Sequence, residues 1–139
     1  MNLSVTFRGG SKFHIQSGAH VVVSDQPAEE GGTDAGMSPV ELFVGSLVSC
    51  IAFFVARYCE RHGIPCEGFV VDAEYDTVER PHRVGPMTVR IQLPTTVNPS
   101  EQERLLRVAE GCTVHQTLLK PSTVQIRLSA AGATSASSG

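Results

Sequence analysis

Apolar and polar positions alternate from the first residues. Leu3, Val5 and Phe7 are separated by Ser4 and Thr6, Gly9-Gly10 breaks the run, and Phe13 and Ile15 resume it. A period of two sends successive side chains to opposite faces of a strand, so the segment predicts a hairpin, with His20–Ser24 as a third short strand. His14 and His20 fall on opposite arms and are expected to be cross-strand neighbours. Residues 25–37 then carry Pro27, the carboxylates Asp25, Glu29, Glu30 and Asp34, and Gly31, Gly32 and Gly36, without a Lys or Arg. This composition predicts a loop, and its length marks it as one with a role of its own.

The pattern changes at Ser38-Pro39-Val40-Glu41, which combines a serine N-cap, proline at the first helical position and glutamate at the third, the components of a capping box. The helix is expected to run to about His62, where Gly63 ends it and Pro65 prevents its resumption, a length of about 36 Å. From Leu42 to Val55 it is apolar or small on every face, the pattern of a helix buried all round, whereas one curved sheet covers only one side. That uncharged stretch is shorter than the ~20 residues a bilayer span requires, so no membrane partner is expected.

Gly68–Val78 predicts a strand, Glu79–Pro86 a polar turn, and Met87–Leu93 a second strand with one wet face. Asn98-Pro99-Ser100-Glu101 repeats the helix-start signals and opens an amphipathic helix ending at Gly111, followed by a short helix over Cys112–Lys120. Val124, Ile126 and Leu128 mark a last strand, and Ala130–Gly139 reads as a flexible tail of small residues. Strands and helices in separate runs define an α+β fold, with one domain over residues 1–129 and a tail over 130–139.

Composition narrows the function. Of the 139 residues 41% are hydrophobic and 18% charged, as in soluble globular proteins. Acidic residues outnumber basic ones by 14 to 11 and the Lys and Arg form no run, which excludes a nucleic-acid surface. The N-terminus lacks the basic start and apolar run of a signal peptide, so a cytoplasmic location is expected. There Cys50, Cys59, Cys66 and Cys112 are expected to be reduced thiols unless they perform redox chemistry. Cys59, His62 and Cys66 have a spacing that a metal could use with His82 or Glu60, but Gly63 and Pro65 break the helix between them, so neither metal nor cofactor is expected. Cys50, inside the apolar helix, reads either as a core thiol or as a reactive one. Cys112 follows a helix stop and has His115 one turn on. These features can lower a thiol pKa or be incidental to a cap.

Asp25-Gln26-Pro27, Gly31-Gly32, Gly36-Met37-Ser38-Pro39-Val40-Glu41-Leu42, Ser49-Cys50 and Cys112-Thr113-Val114-His115, in this order and spacing, resemble the OsmC/Ohr superfamily, particularly its less characterised OsmC-like branch. The resemblance covers nearly the whole chain. It implies an intertwined homodimer in which curved antiparallel sheets wrap two long central helices. It also implies a thiol-dependent peroxidase acting on organic hydroperoxides, with Cys50 as the peroxidatic cysteine, Cys112 resolving its sulfenic acid as a disulfide, and an external dithiol as reductant.

In the hydroperoxide-reducing members a glutamate directly follows the helix-start proline and binds a loop arginine that holds the thiolate. Here Val40 occupies that position, and the loop has no arginine. Glu41, one place on, is expected to close the capping box. Burial raises a thiol pKa, so Cys50 needs another cation, for which Arg80, Arg83 and His115 are the candidates. The alternative function is a non-catalytic or redox-sensing module of the same fold that binds a small apolar ligand at the dimer interface.

Overall fold

The structure, a computed structural model, describes residues 1–130 and, for the backbone alone, residues 133–138. Its elements run β1 (Ser4–Phe7), β2 (Phe13–Ser17), β3 (His20–Ser24), α1 (Pro39–His62), β4 (Val70–Val78), β5 (Arg83–Gln92), α2 (Pro99–Glu110), α3 (Thr113–Leu119), β6 (Gln125–Ala130) and β7 (Ala133–Ser138). This is the expected α+β order. The strands form an antiparallel sheet β1-β2-β3 and two ribbons, β4-β5 and β6-β7.

Both long helices start as their sequences dictate. Ser38 accepts from the Glu41 N–H while Glu41 accepts from the Ser38 N–H, and Asn98 and Glu101 repeat the arrangement at α2. Gly63 closes α1 in the left-handed region, its N–H bonded to the Cys59 carbonyl. One stripe of α1 (Val44, Leu47, Ile51, Val55 and Cys59) is buried. The core joins most of it to Leu105 and Ala109 of α2, Cys112 and Val97, with Val71, Val89 and Ile91 of the β4-β5 ribbon packed against them. The opposite face, including Phe43, Ser46, Ser49 and Phe53, stays exposed, so the all-round burial expected of this helix is half met within one chain.

Four sequence expectations are corrected. The turn before β5 is shorter than Glu79–Pro86, because β5 starts at Arg83. Pairing slips between Tyr75–Met87 and Thr77–Val84, and Gly85-Pro86 sits in this irregularity, where proline need not donate to the ladder. His14 pairs with Val23 and His20 with Ser17, so the two histidines are not cross-strand neighbours. The two-residue turn after Ser17 sets this register. Cys59 and Cys66 form a disulfide rather than two reduced thiols. Lastly, residues 133–138, expected within the tail, form β7 paired with β6, and residues 131, 132 and 139 lie outside the described residues.

The loop between β3 and α1 is organised by one buried carboxylate. Asp25, 2% exposed, accepts at Oδ1 from the Ser11 hydroxyl (2.7 Å) and the Gln26 N–H (2.8 Å). Its Oδ2 accepts from the Thr33 hydroxyl (2.7 Å), the Thr33 N–H (3.1 Å) and the Ala35 N–H (3.2 Å). Glycine is required beside it. A Cβ on Gly32 would strike the Gln26 carbonyl, and one on Gly36 the Val23 carbonyl.

The Thr33 and Ser11 hydroxyls, followed by the Gln26 and Ala35 N–H groups, hold the Asp25 carboxyl far below the ordinary carboxylate range, against the opposing effect of burial. Its folded pKa is depressed, so its stabilisation is present above the unfolded value, near 3.9, and is lost as pH falls from there toward the folded value. Asp25→Asn is therefore expected to lower the melting temperature at pH 7 and to weaken its dependence on pH below about 4. Thermal melts followed by circular dichroism at several pH values check both outcomes.

Candidate functional site

Helix periodicity places Cys50 at the margin of the buried stripe. It precedes Ile51 by about 100° of rotation, and its half-buried side chain packs against the core with Phe54 and Tyr58. One side of the thiol therefore meets the chain's own core and the other its uncovered face.

Cys112 is brought to Cys50 by the junction of α2 and α3. The Cys112 N–H bonds the Ala109 carbonyl (3.2 Å), ending α2, while the Cys112 carbonyl accepts from the Gln116 N–H (2.9 Å), opening α3. The side chain is the N-cap: Sγ accepts from the His115 N–H at 3.4 Å. Cys112 is fully buried, and its thiol neighbours that of Cys50. Burial pushes the Cys112 thiol up from its ordinary pKa; the His115 N–H opposes this, and the adjoining Cys50 adds to it. Both thiols are free, so the pair is a neighbouring dithiol.

His115 Nδ1 lies 2.8 Å from the Glu110 carbonyl oxygen. A carbonyl only accepts, so Nδ1 carries the proton, leaving Nε2 as an acceptor in the neutral ring. His115 also lines a cavity of about 460 Å³ together with Leu47, Ile51, Met87, Leu106 and Leu118. The cavity is mainly apolar and lies against the part of α1 next to Cys50.

The other predicted supporting residues lie elsewhere. The Glu41 carboxylate closes the α1 capping box. Arg83 donates to the carbonyls of Glu79 (3.2 Å) and Pro81 (2.9 Å) within its own hairpin turn, which also contains Arg80. Arg83 lines a separate hollow beside Pro39, Val40 and Phe43 at the start of α1. The structure thus brings Cys50, Cys112 and the His115 backbone together, while Glu41 and Arg83 are engaged locally. Sequence reasoning missed Arg57, which lies seven residues after Cys50 on the same helix and has its guanidinium 5.7 Å from the Phe53 ring centroid. The i, i+7 spacing on a recognised helix was the available signal.

Cys59 ends the buried stripe of α1. The Gly63 turn reverses the chain and returns Cys66 to a Cα–Cα distance of 6.3 Å, within bridging range. The disulfide removes both sulfurs as thiolate ligands for the metal site considered from spacing. No group of three or more His, Cys, Asp or Glu able to hold a metal occurs among the described residues.

The family model for OsmC-like protein matches residues 31–127, from the glycine-rich loop into β6. The chain belongs to the OsmC-like family. Its fold matches a protein of Psychrobacter arcticus 273-4 with a TM-score of 0.77 at 19% identity, over 84% of this chain and 87% of that one. It matches an OsmC-like protein of Mycoplasma pneumoniae with a TM-score of 0.75 at 13% identity, over 86% and 87% of the two chains. For the organic hydroperoxide resistance protein OhrB of Bacillus subtilis the TM-score is 0.60 at 19% identity, over 84% and 90%. No curated protein matches the chain.

The difference in burial between the two free cysteines sets an order of reactivity. At pH 7 to 8 iodoacetamide is expected to label Cys50 well before Cys112, whose modification requires unfolding or a pH above the ordinary thiol value of about 8.5. Peptide mass spectrometry over a labelling time course reads both rates, and equal rates would contradict the assignment.

Proposed function

We propose that this protein is a thiol-dependent peroxidase for organic hydroperoxides, acting in the cytoplasm as a soluble homodimer. The observation that carries this reading is that the free thiols of Cys50 and Cys112, one half-buried and one fully buried, are neighbours. The Cys50 thiolate attacks the terminal peroxide oxygen, the O–O bond breaks, and the alkoxide leaves and takes up a proton as the alcohol. Cys112, deprotonated, attacks the Cys50 sulfenic acid sulfur and expels hydroxide, which is protonated to water. A hydroperoxide and two thiols thus give an alcohol, water and a disulfide. An external dithiol restores both cysteines and is itself oxidised to a disulfide. Membership of the OsmC-like family and the fold shared with OhrB support a peroxide-related role.

Cys50→Ser is expected to abolish hydroperoxide consumption, whereas Cys112→Ser should allow one turnover and then hold the sulfenic acid, which dimedone traps for mass spectrometry. With Val40 at the family's glutamate position and no loop arginine, turnover by the unaltered protein should be about two to three powers of ten below that of members carrying both groups, unless another cation takes the arginine's place. The cavity beside Ile51 supports a second reading, a redox-sensing module for an apolar ligand. Undiminished consumption in Cys50→Ser protein would leave that reading in place of the enzyme.

The uncovered face of α1 supports the dimer. Gly45, Ser49, Ala52 and Ala56 form a narrow strip of small residues along it, beside exposed Phe53. A Cβ on Gly45 would meet open space, so nothing in this chain requires glycine there, although mid-helix glycine costs about 1 kcal/mol relative to alanine. A second helix approaching closely provides a reason. Sedimentation at micromolar concentration is expected to give a dimer, and Gly45→Leu to shift it toward monomer. A wild-type monomer would refute the dimer.

A further inference from the structure

A thiol in the middle of an apolar helix gains nothing from the helix N-terminus, and its conversion to thiolate near pH 7 requires a nearby cation. Of the sequence candidates, Arg83 and His115 are committed elsewhere, and Arg80 lies in the hairpin turn before β5. Arg83 is bonded to its own turn, and the His115 ring donates from Nδ1 to the Glu110 carbonyl. Arg57 is not so committed. Among the described residues no ion pair joins it to a carboxylate, and its guanidinium lies over the Phe53 ring.

Its position on α1 directs it toward Cys50. Seven residues are only about 20° short of two full turns, so Cys50 and Arg57 share one line along the helix, about 10.5 Å apart along the axis. Side chains on a helix lean toward its N-terminus, which for Arg57 is the direction of Cys50. In reaching Phe53, the Arg57 side chain already covers four of the seven residues. The Phe53 ring leans the same way, and its Cα is about 4.5 Å along the axis from that of Cys50. Arg61 lies one turn beyond Arg57, farther from Cys50 along the same helix.

We propose that Arg57 is the cation that stabilises the Cys50 thiolate, leaving the Phe53 ring to bond the sulfur when its proton is lost. This rests on the reactive role assigned to Cys50 and supplies from within α1 the charge that the loop lacks. Among the described residues Cys112 neighbours Cys50 and Tyr58 packs against the same core, while His115 on α3 and Glu110 on α2 flank Cys112 along the chain. On β4, Asp72 and Glu74 are exposed and bonded to Gln92 and Arg90 of β5.

The test measures alkylation of Cys50 by iodoacetamide, a neutral reagent, between pH 5 and 10 in the full chain and its Arg57→Gln, Arg57→Lys and Arg61→Gln variants. Peptide mass spectrometry reads the rate, and circular dichroism verifies that α1 is retained. Arg57→Gln is expected to slow alkylation at pH 7 by about tenfold. Arg57→Lys should retain most of the rate and Arg61→Gln all of it. Superimposable profiles for the unaltered chain and Arg57→Gln, or an equal loss in Arg61→Gln, would overturn the proposal. Alkylation needs no hydroperoxide, so the two readings fail separately. A shifted profile in a protein that consumes no peroxide supports Arg57 and removes the peroxidase, whereas an unshifted profile in an active enzyme removes Arg57 alone.

Discussion

A helix apolar or small around its whole circumference cannot be satisfied by a single layer of structure, and α1 is such a helix from Leu42 to Val55. The β4-β5 ribbon and α2 cover one stripe, from Val44 to Cys59, and leave Phe43, Phe53 and the small-residue strip uncovered. The same shortage of cover recurs in β1-β2-β3, where Val5, Phe7, Val21 and Val22 remain exposed. By length and mean hydropathy α1 could cross a bilayer, but one of its faces forms the core of its own domain. The energetically consistent arrangement places a second protein surface against the other face.

The position of Cys50 follows from that geometry. A thiol centred in the buried stripe would be as inert as Cys112, while one centred on the uncovered face would have no second thiol beside it. At the margin it meets both requirements. Cys112 contributes the second sulfur from a helix junction whose hydrogen bonds are largely backbone, so its placement depends little on side-chain flexibility. Its buried state favours the protonated thiol over the thiolate.

Much of this architecture was legible in the sequence because it rests on local rules. The two capping boxes, the Gly63 stop and the alternating strands follow from residues within a few positions of one another, as does the thiol at the start of α3. The proximity of Cys50 and Cys112 was accessible only through the family resemblance, since it depends on how α2 folds back on α1. The features not foreseen are nonlocal or carry weak patterns. The Cys59–Cys66 bridge depends on the angle at which the chain leaves Gly63. The histidine register is fixed by a turn of two residues, and the start of β5 by an irregularity opposite Gly85-Pro86. β7 is built from Ala, Ser and Thr, with no apolar alternation to mark it. Arg57 was passed over because a charged residue on a helix ordinarily faces solvent, and its relation to Cys50 emerges only from rotation around the axis.

The Asp25 hub gives the loop before α1 a property beyond its fixed shape. Donors from Ser11 through Ala35 converge on the two oxygens of one carboxylate, so no single part of the loop can leave without uncovering a buried charge. The loop therefore opens as a unit or not at all, as a small cooperative foldon within the domain. The amides of Gln26, Thr33 and Ala35 should exchange their hydrogens with a common protection factor despite their separation along the chain. Through Met37 and Ser38 this all-or-none behaviour is transmitted directly to the first turn of the central helix.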